Sequence, residues 1–302
     1  MEPCQPTVGV APEVYLDLLK RCLTGTAYGE HYAPISMLRG TWKHSVFEPL
    51  RPLLAARNTE LVRRSDPEAV AEGRTFHPCA DTMVGLRRLD NLEKCVVDIL
   101  DTGVRGDLME TGVWRGGSTI FMRAILKAYG DTERKVWVAD SFQGLPPPDI
   151  ERWPQDKGDK HWLQDHFAIP LEEVRDNFDR YGLLDDQVRF LPGYFKDTLP
   201  SAQIQHIAVL RLDGDMYGST MEALVALYPK VSVGGYVIVD DYGAFQACRQ
   251  AVVDYRTKHD VTDAINRIDW TGVWWRKTKP DGRSTCDSED IPRASRMTSG
   301  SG

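Results

Sequence analysis

The sequence has few cysteines, no excess of positive charge and no long apolar run, and each shortage argues against a class of protein. Its six cysteines are scattered without a C-x-x-C pair, so we expect reduced thiols and neither a disulfide framework nor a zinc site. A formal net charge of −7 argues against a general nucleic-acid binder, which needs a basic face. No apolar run approaches the roughly 20 residues of a membrane span, and the N-terminus lacks the features of a signal peptide. We therefore expect a cytoplasmic protein without nucleic-acid or membrane partners.

The composition is that of a globular protein, with 42% hydrophobic and 27% charged residues among 302. We predict an N-terminal helical and lid region over residues 1–80, an α/β domain over 81–278, and a polar, disordered tail over 279–302. Within the first region, residues 12–24 have the apolar spacing of a docking helix. Residues 27–80 follow no steady period, and we expect a partly helical insertion over the active-site edge.

From residue 82 onward the sequence alternates between helical and strand patterns. An amphipathic helix is predicted over 82–102, and the last two segments, 265–269 and 272–277, predict a hairpin. The other strands are predicted at 107–112, 135–140, 187–191, 206–212 and 234–240, and the other helices at 117–129, 160–181, 218–230 and 244–258. This order predicts a mostly parallel seven-stranded sheet with a terminal antiparallel hairpin.

Two acidic pairs follow neighbouring strands of this predicted sheet. Asp213 and Asp215 come after 206–212, and Asp240 and Asp241 close the next strand. A strand–helix–strand unit places the carboxyl ends of both strands at the same edge, where ligands bind in open α/β sheets. Because crowded carboxylates are costly without a cation, the sequence predicts a divalent metal site.

A glycine-rich turn links the first predicted strand of the α/β domain to the helix after it. Gly112 and Gly116 lie in a G-x-x-x-G-G pattern, with Ser118 at the helix start, and the next strand ends at Asp140. Glycines let a backbone approach a ligand closely, and an acid at that strand end can accept both hydroxyls of a ribose. Tight packing of the turn and a solvent-exposed Asp140 remain open. The pattern differs from the dinucleotide G-x-G-x-x-G, which makes an NAD dehydrogenase the least favoured enzyme.

E-x-G-x-x-x-G-G with an acid ending the next strand resembles the class I S-adenosylmethionine methyltransferases. More closely, the sequence resembles the macrocin O-methyltransferase family through five motifs in order: METGVWRGGSTIFMRA, ADSFQGLPPPD, PGYFKDTLP, RLDGDMYGST and GGYVIVDDYG. The resemblance covers roughly residues 12–30 and 76–277 and leaves 31–75 unmatched. It implies the class I Rossmann-like fold and self-association as a homo-oligomer.

The resemblance also implies roles for individual residues. It makes Asp213, Asp240 and Asp241 ligands of Mg²⁺ and Asp215 the general base, although Asp215 as a metal ligand or its neighbour stays open. The residues that it places against S-adenosylmethionine are Thr82, Met83, Glu110, Gly112, Gly116, Ser118, Asp140, Ser141, Phe195 and Asp213.

The expected activity is Mg²⁺-dependent methylation of a sugar hydroxyl on a glycosylated secondary metabolite, in antibiotic biosynthesis. A catechol-like or other vicinal-diol acceptor is the alternative, and a binding protein that lost its chemistry is a third hypothesis. Residues 153–167 are interpreted either as a mobile lid or as a solvated helix. Trp270, Trp274 and Trp275 are expected to pack at the sheet edge rather than to contact a ligand.

Overall fold

The computed structural model describes residues 11–28, 32–34, 46–64 and 66–280. The strands are β1 (Tyr32–Pro34), β2 (Val62–Arg64), β3 (Asp107–Thr111), β4 (Val136–Asp140), β5 (Val188–Pro192), β6 (Ile207–Leu212), β7 (Val231–Val239), β8 (Asn266–Arg267) and β9 (Val273–Arg276). The α-helices are α1 (Pro12–Leu23), α2 (Arg51–Ala55), α3 (Pro67–Ala71), α4 (Leu86–Asp101), α5 (Gly117–Ala128), α6 (Leu171–Arg180), α7 (Phe195–Thr198), α8 (Tyr217–Leu227) and α9 (Gln246–Lys258).

The main sheet has seven strands in the order β5-β4-β3-β6-β7-β9-β8. Strands β3 to β7 run parallel, and β9 pairs antiparallel with both β7 and β8. The predicted mostly parallel sheet with a terminal hairpin is therefore confirmed. The chain order reverses between β3 and β6, because β4 and β5 lie on one side of β3 and the later strands on the other. In open α/β sheets, ligands bind outside the carboxyl ends of the strands at such a reversal.

Helices cover both faces of this sheet, as the apolar strands require. Strand β6 is buried at every position, IAVLRL, because it lies in the middle of the sheet between two layers. On one face the buried apolar side chains of α1, α4, α5 and α6 pack together, among them Leu19, Leu89, Ile120 and Val174. On the other face the buried apolar side chains of α8, α9 and the terminal strands form a second cluster, which includes Leu224, Val252 and Trp275.

Two predicted helices begin later than the sequence pattern indicated. Helix α4 begins at Leu86 rather than at residue 82, because the Thr82 hydroxyl accepts the Val84 amide N–H in a local turn (3.1 Å). The helix predicted over 160–181 is wrong in its first half. Short 3₁₀ turns occupy His161–Leu163 and Asp165–Phe167, and α6 begins only after Pro170, which disfavours a helical residue before it.

The N-terminal region contains a small sheet that the sequence did not predict, an antiparallel pair of β1 and β2. The predicted docking helix is present as α1, and the insertion is partly helical through α2 and α3. The disordered tail predicted over 279–302 falls outside the described residues from position 281 on. No helix in the described ranges is both long and apolar enough to cross a membrane.

Candidate active site

A cavity of about 330 Å³ opens at the carboxyl ends of β3, β4, β6 and β7, next to the reversal of strand order. The loops that follow these strands supply much of its wall. The cavity contains both features predicted from the sequence, the glycine turn after β3 and the acidic residues after β6 and β7. Both features therefore serve one site.

The acidic residues after β6 and β7 meet in this cavity. Asp213, Asp240 and Asp241 each offer a carboxylate oxygen, and these oxygens lie within 4.8 Å of one another. Asp215 has a left-handed backbone (φ 57°), and its amide N–H donates to Oδ2 of Asp241 at 3.1 Å. Oxygens around one Mg²⁺ lie about 3–4 Å apart, so a small inward movement would bring the three carboxylates onto one ion.

Two buried arginines hold this acidic cluster together, and the sequence analysis missed both. Arg211, on the buried strand β6, donates to Glu110, to Asp213 at 2.8 Å, and to Oδ1 of Asp240. Arg88, on α4, donates to Oδ2 of the same Asp240. Their guanidinium groups compensate part of the negative charge, which would otherwise make burial of the carboxylates too costly.

The pKa values of the carboxylates in the cluster are shifted in different directions. Burial and mutual repulsion raise those of Asp215 and Asp241, whereas the two arginines lower that of Asp240. Burial, followed by the charges of Asp213 and Asp240, raises the pKa of Asp215 to about 8. The pKa of Asp241 also lies well above its usual value, through burial and then the Asp215 charge. Burial opposes ionisation of Asp240 as well, but Arg211 and Arg88 outweigh it and hold the pKa of Asp240 below its usual value. The cluster therefore favours protons or a cation as partners.

The glycine turn brings the backbone of β3 against the acidic loop. Gly112 has φ 83°, and a Cβ at this position would lie 1.7 Å from the carbonyl oxygen of Asp213, so only glycine fits. Asp140 lines the cavity at the end of β4 and accepts the backbone N–H groups of Val113 and Phe142, each at 2.8 Å. Asp140 is therefore half-buried in the cavity rather than fully exposed, and its contact with a ribose stays a prediction.

Glu110 lies at the end of β3 and offers a buried oxygen to a ligand. Burial, opposed by the Arg211 charge, raises the pKa of Glu110 to about 8. Its Oε1 accepts from Arg211, while its Oε2 is buried with no hydrogen-bond partner among the described residues. A carboxyl oxygen in this position fits the ammonium group of an amino-acid ligand.

The cavity wall includes all but one of the residues predicted to contact the cofactor. The lining residues from that prediction are Thr82, Met83, Glu110, Gly112, Ser118, Asp140, Ser141, Phe195 and Asp213. Gly116 is the exception, since it precedes α5 and packs against Val174. Its predicted contact with the cofactor stays a prediction.

The segment after β4 forms a second wall that is hydrogen-bonded to the site at two places. The Asp156 carboxylate accepts the first backbone N–H groups of α8, from Tyr217 at 2.7 Å and Gly218 at 2.9 Å. The Trp114 indole in the glycine turn donates to the carbonyl of His166 at 2.8 Å. Residues 153–167 are therefore not one solvated helix; their predicted role as a lid stays a prediction.

The cavity wall also contains aromatic residues that the sequence analysis did not assign to the site. Trp270 lines the cavity and donates to the carbonyl of Glu72 at 2.8 Å, so its expected place at the sheet edge is wrong. Trp274 and Trp275 lie in β9, and Trp275 is fully buried, as expected. Trp153 and Phe245 also line the cavity, which gives it apolar surface suited to a bulky, partly apolar ligand.

The sheet order, the glycine turn and the site at the strand ends define a methyltransferase of class I fold. The solved structure of the O-methyltransferase NovP matches 89% of this chain and 100% of its own, at 46% identity and a TM-score of 0.76.

The chain belongs to the macrocin O-methyltransferase family, whose model matches residues 12–277. It is 50% identical to 8-demethyl-8-(2,3-dimethoxy-alpha-L-rhamnosyl)-tetracenomycin-C 4'-O-methyltransferase of Streptomyces olivaceus, over 91% of this chain and 96% of that relative. It is 47% identical to demethyldecarbamoylnovobiocin O-methyltransferase of Streptomyces niveus, over 88% and 94% of the two chains. The protein is an O-methyltransferase.

Proposed function

We propose that the protein transfers the methyl group of S-adenosylmethionine to a sugar hydroxyl of a glycosylated natural product, with Mg²⁺ bound by the acidic cluster. The observation that carries this proposal is that one cavity contains both the glycine turn and four converging carboxylates. The glycine turn, Asp140 and Glu110 suit an amino-acid nucleoside, and Asp213, Asp240 and Asp241 supply the hard oxygen ligands that Mg²⁺ prefers.

In this proposal some residues bind the cofactor or the cation, and another residue accepts the proton of the hydroxyl. Asp140 would accept the ribose hydroxyls, and the free oxygen of Glu110 would accept the ammonium of the methionine part. Asp213, Asp240 and Asp241 would hold the cation, which when bound would fix the reacting hydroxyl together with a neighbouring sugar oxygen and acidify that hydroxyl. Asp215 stands beside these three carboxylates and is our candidate for the group that takes the hydroxyl proton.

Asp215 suits a proton acceptor because of its environment. Its pKa of about 8 is near neutral pH, where a general base is most effective, and a bound cation would lower it. The activated sulfonium methyl needs little else from the protein than an acceptor oxygen held in line at about 3 Å. The residues around the cluster would therefore contribute mainly orientation and the exclusion of water.

A sugar acceptor is favoured by the aromatic residues that line the cavity and by the acceptor of a related enzyme. Trp153, Phe245 and Trp270 offer apolar faces in the same cavity as the acidic cluster, as a glycoside with polar and apolar faces requires. The name of the Streptomyces olivaceus relative specifies a rhamnosyl tetracenomycin as its acceptor. We carry that kind of acceptor, a rhamnosylated natural product, to this chain as part of the proposal.

The test is methyl transfer to a panel of acceptors. The protein is incubated with S-adenosylmethionine and rhamnosylated tetracenomycins, their aglycones, 2'-, 3'- and 4'-deoxy sugar analogues, or a catechol. Each reaction is run in Mg²⁺, in EDTA, and in EDTA followed by excess Mg²⁺. The methylated product and S-adenosylhomocysteine are quantified by mass spectrometry.

We expect transfer to glycosides only, with loss in EDTA, recovery with Mg²⁺, and loss when the oxygen substituent next to the methylated hydroxyl is removed. Transfer that EDTA leaves unchanged would overturn the role of the cation. Methylation of catechol but of no glycoside would overturn the sugar acceptor.

A further inference from the structure

Arg88 connects the acidic cluster to two other parts of the chain through a single guanidinium group. The residue lies in the first turn of α4 and is 6% exposed. Its Nη1 donates to Oδ2 of Asp240, its Nε lies 3.0 Å from Oδ2 of Asp269, and its Nη2 reaches the carbonyls of Glu72 and Gly73 at 3.5 and 3.4 Å. Guanidinium is the side chain suited to this role, because its donors are fixed in one plane.

Two glycines, Gly73 and Gly272, lie where a side chain would collide with or crowd Arg88. Gly73 has φ 64°, and a Cβ there would lie 2.1 Å from Nη2 of Arg88. A Cβ at Gly272, in the turn between β8 and β9, would lie 3.1 Å from Cδ of Arg88. The path of Arg88 to the cluster is therefore a built feature of the fold, formed by three separate segments.

Asp269 holds the far side of the guanidinium. Its side chain is fully buried, and its Oδ1 accepts the backbone N–H groups of Thr271 and Gly272 at 3.0 and 2.8 Å. These bonds fix the carboxylate, so that Oδ2 is left to face Arg88 as an ion pair. The Thr271 hydroxyl in turn donates to the backbone carbonyl of Asp240 at 2.8 Å. The turn thus contacts Asp240 both directly and through Arg88.

Asp240 has both carboxylate oxygens fixed by arginines, Oδ2 by Arg88 and Oδ1 by Arg211. A carboxylate oxygen has a second lone pair, so each oxygen can still contact a cation. Arg211 also contacts Glu110 and Asp213, whereas Arg88 contacts Asp240 alone within the cluster. Within the cluster, Arg88 therefore acts on this one carboxylate, whereas Arg211 acts on three.

We infer that Arg88 is a positioning residue that aims Asp240 at the cation, an inference that rests on the proposed function. A positioning role and a role in charge compensation alone predict opposite changes in Mg²⁺ affinity when Arg88 is replaced. If Arg88 only offset negative charge, removing its charge would make the cluster bind Mg²⁺ more tightly. If Arg88 aims Asp240, its removal weakens Mg²⁺ binding, because the freed carboxylate turns away.

The test is the Mg²⁺ dissociation constant of the parent and of full-length variants, measured by calorimetry at one fixed pH. We expect Arg88→Met and the charge-preserving Arg88→Lys each to weaken Mg²⁺ binding at least ~10-fold, the usual cost of removing a residue that orients a metal ligand. High Mg²⁺ restores part of their kcat, and the dissociation constant of S-adenosylhomocysteine stays within about twofold of the parent value.

Arg87→Lys is the matched control. Arg87 is the neighbouring arginine on the same helix, but its side chain is 47% exposed and pairs with Glu68 and with Glu72 at 2.5 Å. We expect no change in Mg²⁺ binding. Asp269→Asn is the second variant in case changes at Arg88 prevent folding, since it keeps the amide contacts of Oδ1 and removes only the charge that faces Arg88. It should weaken Mg²⁺ binding several-fold.

The outcomes separate this inference from the proposed function. If the parent protein binds Mg²⁺ and Arg88→Lys binds it equally well, or Arg88→Met binds it more tightly, the positioning role is overturned and the proposed function stands. If the parent binds no Mg²⁺ at millimolar concentration, the proposed metal site is overturned together with this inference.

Discussion

Binding of Mg²⁺ to the acidic cluster should release protons, because the cluster favours protons when no cation is bound. Asp215 has a pKa of about 8, so about 90% of it is protonated at pH 7 in protein stripped of metal. Glu110 has a similar pKa, and that of Asp241 is raised in the same direction. A divalent cation favours the ionised forms and displaces these protons. We therefore expect release of at least about one proton per Mg²⁺ at pH 7 and fewer at pH 9, where Asp215 and Glu110 are mostly ionised without the cation.

The assay is calorimetric titration of EDTA-treated protein with Mg²⁺ in two buffers that differ in ionisation enthalpy, such as PIPES and Tris at pH 7. The difference in observed heat gives the number of protons released. Mg²⁺ affinity should also rise at least about tenfold per pH unit near pH 7, and more slowly above pH 8. Asp215→Asn should release fewer protons than the parent. Heats that are equal in both buffers at pH 7, or proton counts that are equal at pH 7 and pH 9, would refute this reasoning.

Three other predictions test the remaining parts of the site and the fold. Asp215→Asn should lower kcat at least ~10²-fold, the usual scale for loss of a general base, with unchanged S-adenosylhomocysteine affinity; near-normal turnover would exclude that role. Asp140→Ala should weaken S-adenosylhomocysteine binding ~10–100-fold, because a charged hydrogen-bond acceptor is lost, and should leave Mg²⁺ affinity unchanged in calorimetry. Asp185→Asn should lower the melting temperature by about 2–4 °C at pH 7 through loss of the Arg123 contact, a small effect because the Asp185 side chain is 39% exposed. The pKa of Asp185 is lowered by Arg123, so its stabilisation is present above about pH 4 and is lost as pH falls further; a difference that persists at pH 2 would contradict this assignment.

The sheet and the acidic cluster were predictable because simple rules act on strong patterns. Apolar runs that end in Asp140, Asp213 and Asp240 indicate strands, and the rules for parallel connections place their ends at one edge. The position of the glycine turn follows from the same rules. The bounds of β8 and β9 were predicted less accurately. The predicted strands 265–269 and 272–277 are longer than the observed Asn266–Arg267 and Val273–Arg276. Short edge strands have few constraints beyond local pairing.

The arginines of the site were missed although the sequence contains a signal for each. Arg211 interrupts the apolar run HIAVLRL, and a charge at a buried strand position needs a partner. Arg88 precedes Leu92 and Cys95 at helical spacing, on the face of α4 that is buried. What the pattern does not reveal is the partner, because Asp269 and Glu72 come near Arg88 only through tertiary packing. The aromatic residues of the cavity wall were missed for the same reason. Trp270, for example, lies in a turn whose location depends on the whole sheet.

The contact of Asp156 with α8 has a consequence for changing which molecules the enzyme accepts. This carboxylate accepts hydrogen bonds from the first turn of the helix that begins two residues after Asp215, so Asp156 links the wall after β4 to the loop that contains Asp215. Replacing the whole stretch from residue 143 to 167 with a sequence from another enzyme would also loosen the loop that carries Asp215. Grafts that end before Trp153, or that retain an aspartate at position 156, should alter acceptor scope while preserving turnover.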